Sequence, residues 1–504
     1  MEKIAIVKIG ADTIKLSLID YAPNGYYNLF DEVTEHVKLG LSIEQSGLIK
    51  PNIVTEALTI LKLYRKICDA NNVSKIYAVA ESFFRRAKNQ KSFLEEVSNN
   101  TGFAFSILSA DEEVKLVYRG ITNSIDVSKA IGVFIAPNKT HIMQFNRRTI
   151  LNTQTLQYGY LNLAEKFADV LDPEEKLEQM VEEIDYLIKS NDFLANIEPE
   201  TTFVGAGSVF ESLGKLSRKM SKYPLDIENN YMVSSDSFNA VYDLVKTLDL
   251  DKTKKLKGIS EDRADALASG LAIIKAIMQM CKAPCLSVCA GAYDEGVTMQ
   301  ALPCDLPEHV FPTDMLTASL DAIRTFYDRE LSNTVNVYNL AIMLFKQLKV
   351  IHKLPRNYIK PLRIAASMYN CGTRIGFENY ANKSFEIIIN SKIKGVTQKD
   401  ILIAAFACKA QNLDNISLAE FMKYNAILTE EDFDAIRKLG VLVQLASAMD
   451  KSRMGNITDM TCDILGDSII MKTIVKADAS FDIIQAQKVG ADFKKVFKKI
   501  LQVI

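Results

Sequence analysis

Two pairs of short apolar runs, each pair joined by a tight polar turn, most strongly constrain how this chain can fold. The first pair reads IAIVKIGADTIKLSLID and breaks at residues 10–12. The second runs from Ile131 to Ala136 and from Thr140 to Phe145, around a Pro-Asn-Lys turn. Such runs are typical of β-hairpins. Because helical patterns and single strands alternate around them, the sequence predicts an α/β fold made of two successive units.

The chain is too long for one hydrophobic core. A length of 504 residues is typical of about three or four domains. Pro303, Pro307 and Pro312 mark a linker, after which the pattern becomes helical and then, near Gly455, partly β-like. The predicted domains are 1–125 and 126–305 (both α/β), 306–455 (all-α) and 456–504 (small α+β). We interpret the last residues, FKKVFKKILQVI, as a basic amphipathic helix docked on this small domain.

Charge and composition exclude several classes of partner. The net charge is −2, from 60 basic and 62 acidic residues, so no overall field attracts nucleic acid or an anionic membrane. The apolar runs are shorter than the roughly 18 residues of a membrane span, and residues 1–10 do not read as a signal peptide. Eight cysteines without a dense framework are typical of a reducing compartment, so we expect a cytoplasmic protein.

One group of cysteines requires a choice between two interpretations. Four cysteines lie close together in the sequence, at Cys281, Cys285, Cys289 and Cys304. Pro284 breaks the helix that would place the first two thiols on one face. The group is either a metal site or a set of small buried apolar side chains, and we favour the second. The four histidines are far apart in the sequence. The sequence therefore predicts no metal ligands.

Three polar features suit phosphate chemistry. A helix beginning with Glu112-Glu113 leads into the second hairpin, so a carboxylate can face the turn between two strands. Ser82 and Arg85 follow the strand at 76–80, at the end of the strand where ligands bind in open α/β sheets. The alternative for this basic cluster is a solvated helix face. Gly207, in the run GAGS, lies between a strand and a helix, a plausible but nonspecific phosphate loop.

Six segments of the chain match, in the same order, the segments of a known family. They are VKIGADTIKL, VKLGLSIEQSGLI, AVAESFFRRAKN, ILSADEEVKLVYRG, GYLNLAEKF and RADALASGLAII. Over nearly its whole length the chain resembles the Ppx/GppA family, which comprises exopolyphosphatases and guanosine pentaphosphate phosphohydrolases. The resemblance implies two actin-like ATPase (RNase H-like) domains, then an all-α HD-like domain, matched by LFKQL and LASAMDKSRMG, and a small C-terminal α+β domain. It also implies a homodimer.

The resemblance implies hydrolysis of a terminal phosphoanhydride in polyphosphate or a phosphorylated guanine nucleotide. Such a reaction needs cations and N–H groups around the phosphoryl group, Mg²⁺, and a carboxylate that orients water. By resemblance, Glu112 lies at the catalytic position. The substrate-binding candidates are Arg85, Ser82, Lys139, Lys15, Thr13 and Gly207.

The chain departs from the family pattern where the chemistry is done. Lys8 replaces an Asp in the first hairpin, and Phe134 replaces the acidic residue of the second hairpin that is associated with Mg²⁺. Residues 136–138, Ala-Pro-Asn, replace three glycines, and Pro137 removes a backbone donor. Asp294 stands where the family usually has an Arg. Two further carboxylates, Asp12 and Glu81, replace neutral residues at phosphate-contacting positions.

The helical domain departs in the same way. The positions of the HD-type ligands read Asn333, Tyr369, Asn370, Ala381 and Lys383, and Asp450 alone is kept. Because transition-metal sites of this kind need imidazole, this set predicts no metallophosphohydrolase centre.

Three hypotheses follow from this pattern. The leading one is a weakly active or inactive family member, a pseudoenzyme that binds polyphosphate or a phosphorylated nucleotide in the interdomain cleft and acts in regulation. The second is an active exopolyphosphatase or pppGpp phosphohydrolase with Glu112 as base and Mg²⁺ as cofactor, in which Asp12 or Glu81 supplies the missing carboxylate. The third is an interaction scaffold without a ligand. Phosphate release and binding of polyphosphate distinguish the three.

Overall fold

The computed structural model describes residues 2–21, 27–146, 149–189, 192–198, 201–256, 261–302, 314–327 and 331–504. The chain divides into two compact units. The first comprises Met1–Tyr223 and Glu228–Phe311, and the second Pro224–Ile227 and Pro312–Ile504. The three linker prolines and the predicted boundary between residues 305 and 306 lie outside the described residues. The finer boundaries within each unit stay predictions.

Two β-sheets form the centre of the first unit. Their strands are β1 Glu2–Ile9, β2 Thr13–Tyr21, β3 Tyr27–His36, β4 Lys75–Ala80, β5 Ser106–Ile107, β6 Lys129–Ile135, β7 Thr140–Asn146, β8 Thr149–Leu156, β9 Thr202–Ala206, β10 Tyr231–Ser234 and β11 Cys285–Cys289. The orders are β3-β2-β1-β4-β5 and β10-β11-β9-β6-β7-β8. Both predicted hairpins are present as β1–β2 and β6–β7, with Lys8 opposite Lys15 and Ile135 opposite Thr140.

Helices cover these sheets, and two of them bring the candidate site together. The helices are α1 Leu39–Ser46, α2 Pro51–Ala70, α3 Gln90–Thr101, α4 Ala110–Thr122, α5 Tyr160–Lys166, α6 Pro173–Ile188, α7 Asp192–Ala195, α8 Ser208–Met220, α9 Ser235–Lys246, α10 Leu250–Lys254, α11 Glu261–Cys281 and α12 Ala292–Ala301. A Cβ on Gly120 of α4 would lie 1.7 Å from the carbonyl oxygen of Ala292, and one on Gly296 of α12 would lie 1.9 Å from that of Leu116. Glycine is therefore required at both positions, and it lets the two helices pack closely.

The second unit is helical and carries a small sheet. Its elements are α13 Met315–Tyr327, α14 Leu331–Gln347, α15 Lys349–His352, α16 Ile359–Met368, α17 Tyr380–Asn390, α18 Gln398–Lys409, α19 Leu418–Phe421, α20 Glu430–Met449, β12 Ile457–Leu465, β13 Ser468–Val475, α21 Ser480–Lys488, α22 Gly490–Phe497 and β14 Ile500–Val503. Every residue from Ile401 to Ala410 is buried, so α18 lies at the centre of the unit. In the part of the chain that the structure describes, no helix is long and apolar enough to span a membrane.

The predicted C-terminal helix over residues 493–504 is wrong beyond Phe497. Helix α22 ends at Phe497, and Lys498 has a left-handed φ of 57°. Residues Ile500–Val503 then form β14, parallel to β13 in the order β12-β13-β14. The alternation of exposed and buried side chains here has the period of a strand, with Leu501 and Val503 buried. The predicted docking is present, since Phe493 and Phe497 are buried and α22 contacts α20 and β14.

Candidate functional site

Several backbone groups at the tip of the second hairpin are already hydrogen-bonded within the protein. The N–H of Ala136 donates to the carbonyl of Lys139 at 2.9 Å, and Pro137 has no N–H. The carbonyls of Ala136 and Pro137 accept from the first N–H groups of α5, at 3.2 Å from Tyr160 N and 2.7 Å from Leu161 N. The tip therefore offers carbonyl oxygens to a helix start and contributes few N–H donors to an anion.

A buried ion pair lies beside this tip. Lys139 Nζ is 2.5 Å from Glu113 Oε2, and the two residues are 9% and 2% exposed. The backbone N–H and the hydroxyl of Ser82 donate to the same carboxylate at 2.5 and 2.9 Å, and Lys139 also contacts the Ser82 hydroxyl. Burial opposes ionisation, but the neighbouring His141 and Lys139 hold the pKa of Glu113 below its ordinary value. Two predicted anion-binding side chains are thus bound to a carboxylate of the protein itself.

Glu112 and Glu113 have different structural roles. The Ser109 N–H donates to the Glu112 carboxylate at 2.7 Å, and the Ser109 hydroxyl accepts from the Glu112 N–H at 3.2 Å. This reciprocal pair is a capping box, and it lowers the pKa of the exposed Glu112. The carboxylate that faces the hairpin is that of Glu113, whereas the family resemblance pointed to Glu112. The Ser-x-x-Glu spacing from Ser109 was the signal that could have reserved Glu112 for the cap.

An aromatic stack occupies the end of β6. The ring of Phe134 lies parallel to that of His141, with ring centroids 6.2 Å apart, and packs on Tyr293 at 5.4 Å. His141 is fully buried, its Nδ1 lies 2.9 Å from the Thr155 hydroxyl, and burial lowers its pKa. Where a hydrolase of the resembled family would place an acidic side chain against Mg²⁺, this chain places hydrocarbon.

Two of the departures from the family pattern contact each other. Lys8 Nζ lies 2.5 Å from Asp294 Oδ1, and Lys15 Nζ lies 2.7 Å from Asp294 Oδ2. Lys15 is also 2.8 Å from Glu32. Although partial burial favours the neutral acid, the two lysines hold the pKa of Asp294 well below its ordinary value. The predicted anion ligand Lys15 therefore has two carboxylates of the chain as its partners.

Two more carboxylates lie near the first hairpin tip. Asp12 accepts from the Tyr160 hydroxyl at 2.7 Å. Burial raises the pKa of Glu81 to about 7, with Lys8 opposing the effect and Glu113 adding to it. A Cβ on Gly10 would lie 3.1 Å from Glu81 Oε1, so the carboxylate lies against the tip itself. Their charge makes this end of the site unfavourable for a second anion.

The remaining predicted residues differ in their surroundings. Arg85 is exposed, and its guanidinium donates to the carbonyls of Leu108 at 3.0 Å and Ile107 at 2.6 Å. It forms no salt bridge with any residue that the structure describes. Thr13 begins β2, and its carbonyl accepts from the N–H of Gly10 at 2.8 Å. Gly207 precedes α8 and has a left-handed φ of +102°. A Cβ added to Gly207 would lie 3.1 Å from the carbonyl oxygen of Ile135. Of the three predicted cations, Arg85 alone forms no salt bridge with a described residue, although its guanidinium is close enough to Glu112 to help lower the pKa of that carboxyl.

The donor set does not fit a catalytic Mg²⁺. Phe134 supplies no oxygen, Glu113 is committed to Lys139 and Ser82, and Asp294 is committed to two lysines. Among the described residues, no three His, Cys, Asp or Glu side chains are grouped to hold a metal ion. Of the cysteine group, Cys281, Cys285 and Cys289 are free thiols, and Cys304 lies outside the described residues.

The HD-type positions of the second unit form a hydrogen-bonded network. The Asn333 side-chain amide donates to Asp450 Oδ2 at 2.8 Å and accepts from the Tyr369 hydroxyl at 2.9 Å. The Gly455 N–H donates to Asp450 Oδ1 at 2.8 Å. Burial raises the pKa of Asp450, with these hydrogen bonds opposing it. The neutral donors take the place that imidazole ligands hold in the resembled HD-type domain.

Comparison with known proteins gives two family-model matches. Residues 19–304 match the model of the Ppx/GppA phosphatase family, and residues 317–487 match that of Ppx/GppA phosphatase, domain III. A guanosine-5'-triphosphate,3'-diphosphate pyrophosphatase from Aeromonas salmonicida is 20% identical over 473 residues, which are 90% of this chain and 89% of that protein. Together the two models span most of the sequence.

Solved structures support the fold. The Aquifex aeolicus member of the Ppx/GppA protein family is 22% identical, with a TM-score of 0.52, covering 59% of this chain and 97% of the other. An exopolyphosphatase from Cytophaga hutchinsonii is 19% identical, with a TM-score of 0.55, covering 60% of this chain and 99% of the other. The predicted fold class, actin-like α/β domains followed by an HD-like helical domain and a small α+β domain, is confirmed.

Proposed function

Because the chain belongs to the Ppx/GppA phosphatase family, we propose that it is a member with little or no phosphohydrolase activity that acts as a binding or regulatory protein. One observation carries the proposal. Four polar side chains of the candidate site contact carboxylates of the chain itself. Lys139 and Ser82 contact Glu113, and Lys8 and Lys15 contact Asp294. A transferring phosphoryl group must compete with Glu113 and Asp294 for these donors. Losing one group that stabilises transition-state charge commonly costs about 10²–10³ in rate, and several are missing here.

The ligand we propose is polyphosphate or a phosphorylated guanine nucleotide, bound through the face that carries Arg85. This guanidinium is exposed and forms no salt bridge with a described residue, so its N–H groups can donate to an incoming phosphate. Arg86, one residue away, is instead paired with Glu44, with a second contact at 2.9 Å. The two neighbouring arginines therefore differ in charge compensation.

This difference gives a matched experiment. Polyphosphate should raise the thermal midpoint of the purified protein, and salt should reduce the shift because the contact is electrostatic. Arg85→Gln should lose most of the shift, whereas Arg86→Gln should keep it. An unchanged shift in Arg85→Gln would contradict the proposed binding face. No shift at any polyphosphate concentration would favour the scaffold hypothesis.

The alternative is an active exopolyphosphatase or pppGpp phosphohydrolase. It draws support from the position of Glu113, a carboxylate at a helix start that faces the hairpin turn and touches Ser82. Such an enzyme would need its base at Glu113 or Glu112, Mg²⁺, and displacement of Lys139 from the carboxylate. Metal-dependent release of phosphate would distinguish this active enzyme from the proposed binding or regulatory protein.

The remaining expectations are also proposals. We propose a cytoplasmic homodimer without nucleic-acid or membrane partners, on the basis of the near-neutral net charge and the family resemblance. Sedimentation at several protein concentrations tests the oligomeric state, and a monomer at every concentration would contradict the homodimer.

A further inference from the structure

The small sheet of the second unit has an edge strand whose outer side is bonded to a side chain. The strand order β12-β13-β14 leaves β14 with a neighbouring strand on one side only. On the other side lies Gln487, near the end of α21. Its side-chain N–H donates to the Leu501 carbonyl at 2.9 Å, and its side-chain carbonyl accepts from the Val503 N–H at 2.8 Å. One carboxamide thus satisfies a donor and an acceptor of the strand edge.

These two bonds reproduce the pattern of a parallel β-strand. In a parallel pair, one residue donates its N–H to the carbonyl before the residue opposite it and accepts from the N–H after that residue. Leu501 and Val503 flank Gln502 in this way. The carboxamide of Gln487 therefore takes the place that one residue of a fourth strand would have opposite Gln502. An edge strand left open is a template for pairing with another chain.

The inner hydrogen bonds of β14 show which of its groups point outward. The Ile500 N–H donates to the Asp467 carbonyl at 2.8 Å, and the Ile504 N–H donates to the Met471 carbonyl at 2.8 Å. Main-chain groups of successive residues in a strand point to alternate sides, so those of Leu501 and Val503 point away from β13. A further strand would have to bond to these groups, two of which Gln487 occupies.

The outward edge is complementary to a second copy of itself. The residues around Gln502 are symmetric in character, with Leu501 and Val503 beside it and isoleucine at the next position on each side. Two antiparallel copies centred on Gln502 would set Leu501 of each copy against Val503 of the other, with both main-chain groups of each residue able to bond. The flanking pair would be Ile500 against Ile504, which are 50% and 51% exposed, so the pairing would also cover apolar surface.

The closing contact can be released without unfolding the strand. Gln487 is exposed, whereas the side chains of Leu501 and Val503 are 2% and 5% exposed and anchor β14 to the unit. A Cβ built on Gly490 would have only Gln487 Nε2 and the Leu501 carbonyl oxygen within 4 Å, at 3.6 and 3.7 Å. Space therefore lies beside the carbonyl that Gln487 contacts. Rotation of one exposed side chain opens the edge, and such rotations are fast.

We propose that β14 is a pairing surface for β14 of a second copy of this chain, and that Gln487 keeps this surface closed. Antiparallel pairing about Gln502 joins two three-stranded sheets into one of six strands. The surface belongs to the small sheet of the second unit, so the inference does not rest on the proposed phosphate binding. It is also distinct from the proposed homodimer, because the expected association is additional to that of the wild-type protein.

Sedimentation equilibrium of the full chain tests the proposal with a matched pair of variants. Gln487→Leu removes both hydrogen bonds to β14 and should strengthen self-association about tenfold or more relative to the wild-type protein. Gln485→Leu is the same change two residues earlier on α21, where the side chain bonds only to Lys488 among the described residues. It should associate as the wild type does. Wild-type behaviour of Gln487→Leu, or equal association of both variants, would overturn the proposal.

Two further measurements locate the association at the edge. Val503→Pro, added to Gln487→Leu, removes an outward N–H at a side of an edge strand where proline is tolerated, and should restore the association of the wild type. In dilute Gln487→Leu, the Val503 amide should exchange its hydrogen about tenfold faster than in the wild type, because its partner is gone. Persistent association of the double variant would place the contact elsewhere. Unchanged exchange at Val503 would show that Gln487 does not close the edge.

Discussion

The ammonium group of Lys139 lies 2.5 Å from the carboxylate of Glu113, and both side chains are buried. Lys139 belongs to the turn that would hold a phosphate in a hydrolase of this family, and Glu113 begins the helix opposite. Each group therefore neutralises the other. The same arrangement recurs around Lys8 and Lys15, whose two charges are compensated by Asp294 and Glu32. The candidate site is a network of internal ion pairs in which carboxylates hold the cations that a substrate would need.

Glu113→Gln should destabilise the protein far more than Glu112→Gln. The first change leaves the buried Lys139 without its counter-ion, which typically costs about 3–5 kcal/mol. The second changes an exposed capping carboxylate to an amide that still accepts a hydrogen bond, and should cost less than about 1 kcal/mol. Urea unfolding of the two variants measures both free energies. Equal losses would mean that the Glu113–Lys139 pair is not buried as described.

Asp294→Asn should strengthen phosphate binding while lowering stability slightly. It releases Lys8 and Lys15 from a carboxylate whose side chain is 39% exposed, so solvent screening limits the loss to about 1 kcal/mol. We expect roughly tenfold tighter binding of inorganic phosphate, equivalent to about 1.4 kcal/mol. The control Asp463→Asn breaks an exposed pair with Lys472 in the second unit and should change neither quantity. Unchanged phosphate affinity in Asp294→Asn would show that the released lysines do not face a ligand.

The contribution of Glu81 to the stability of the protein should decrease between about pH 4.5 and pH 7. Burial raises the pKa of this carboxyl to about 7, so the folded state holds a proton that the unfolded state has already lost in this range. The contribution is complete below the ordinary pKa and disappears as the pH passes the folded value, with a total of no more than about 4 kcal/mol. Glu81→Gln should flatten the slope. A slope that is the same in the variant would assign it to another group.

Mn²⁺ and EDTA should both leave the thermal midpoint unchanged within about 1 °C. The HD-type positions offer an amide, a phenol and one carboxylate, and Asn333, Tyr369 and Asp450 bond to one another. A metal would have to break this network to bind. This description would be contradicted if Mn²⁺ raised the thermal midpoint of the wild-type protein but did not change that of Asp450→Asn.

Much of the fold could be predicted because hydrophobic alternation is a local signal. Both hairpins appear where the apolar runs predicted them, and β12 and β13 follow the alternating segments after Gly455. The last strand was missed because the basic helix pattern continues up to Phe497, and four residues of alternation are too short to outweigh it.

The site could be predicted only in part. The departures Lys8 and Asp294 are visible in the sequence, but 286 residues separate them, and nothing local shows that they pair. The choice between Glu112 and Glu113 was decidable in principle from the capping spacing, because one carboxylate of the pair is needed by the helix start. The partners of Lys139 and Lys15 depend on the packing of distant elements.

The central claim is most directly tested by phosphate release from long-chain polyphosphate and pppGpp in the presence of Mg²⁺ or Mn²⁺. We expect the purified wild-type protein to release no phosphate above that of Glu113→Gln and Glu112→Gln, because the cations that would stabilise the transition state are held by carboxylates of the chain. Metal-dependent turnover by the wild-type protein that disappears in Glu113→Gln or Glu112→Gln would contradict the account and establish an active hydrolase.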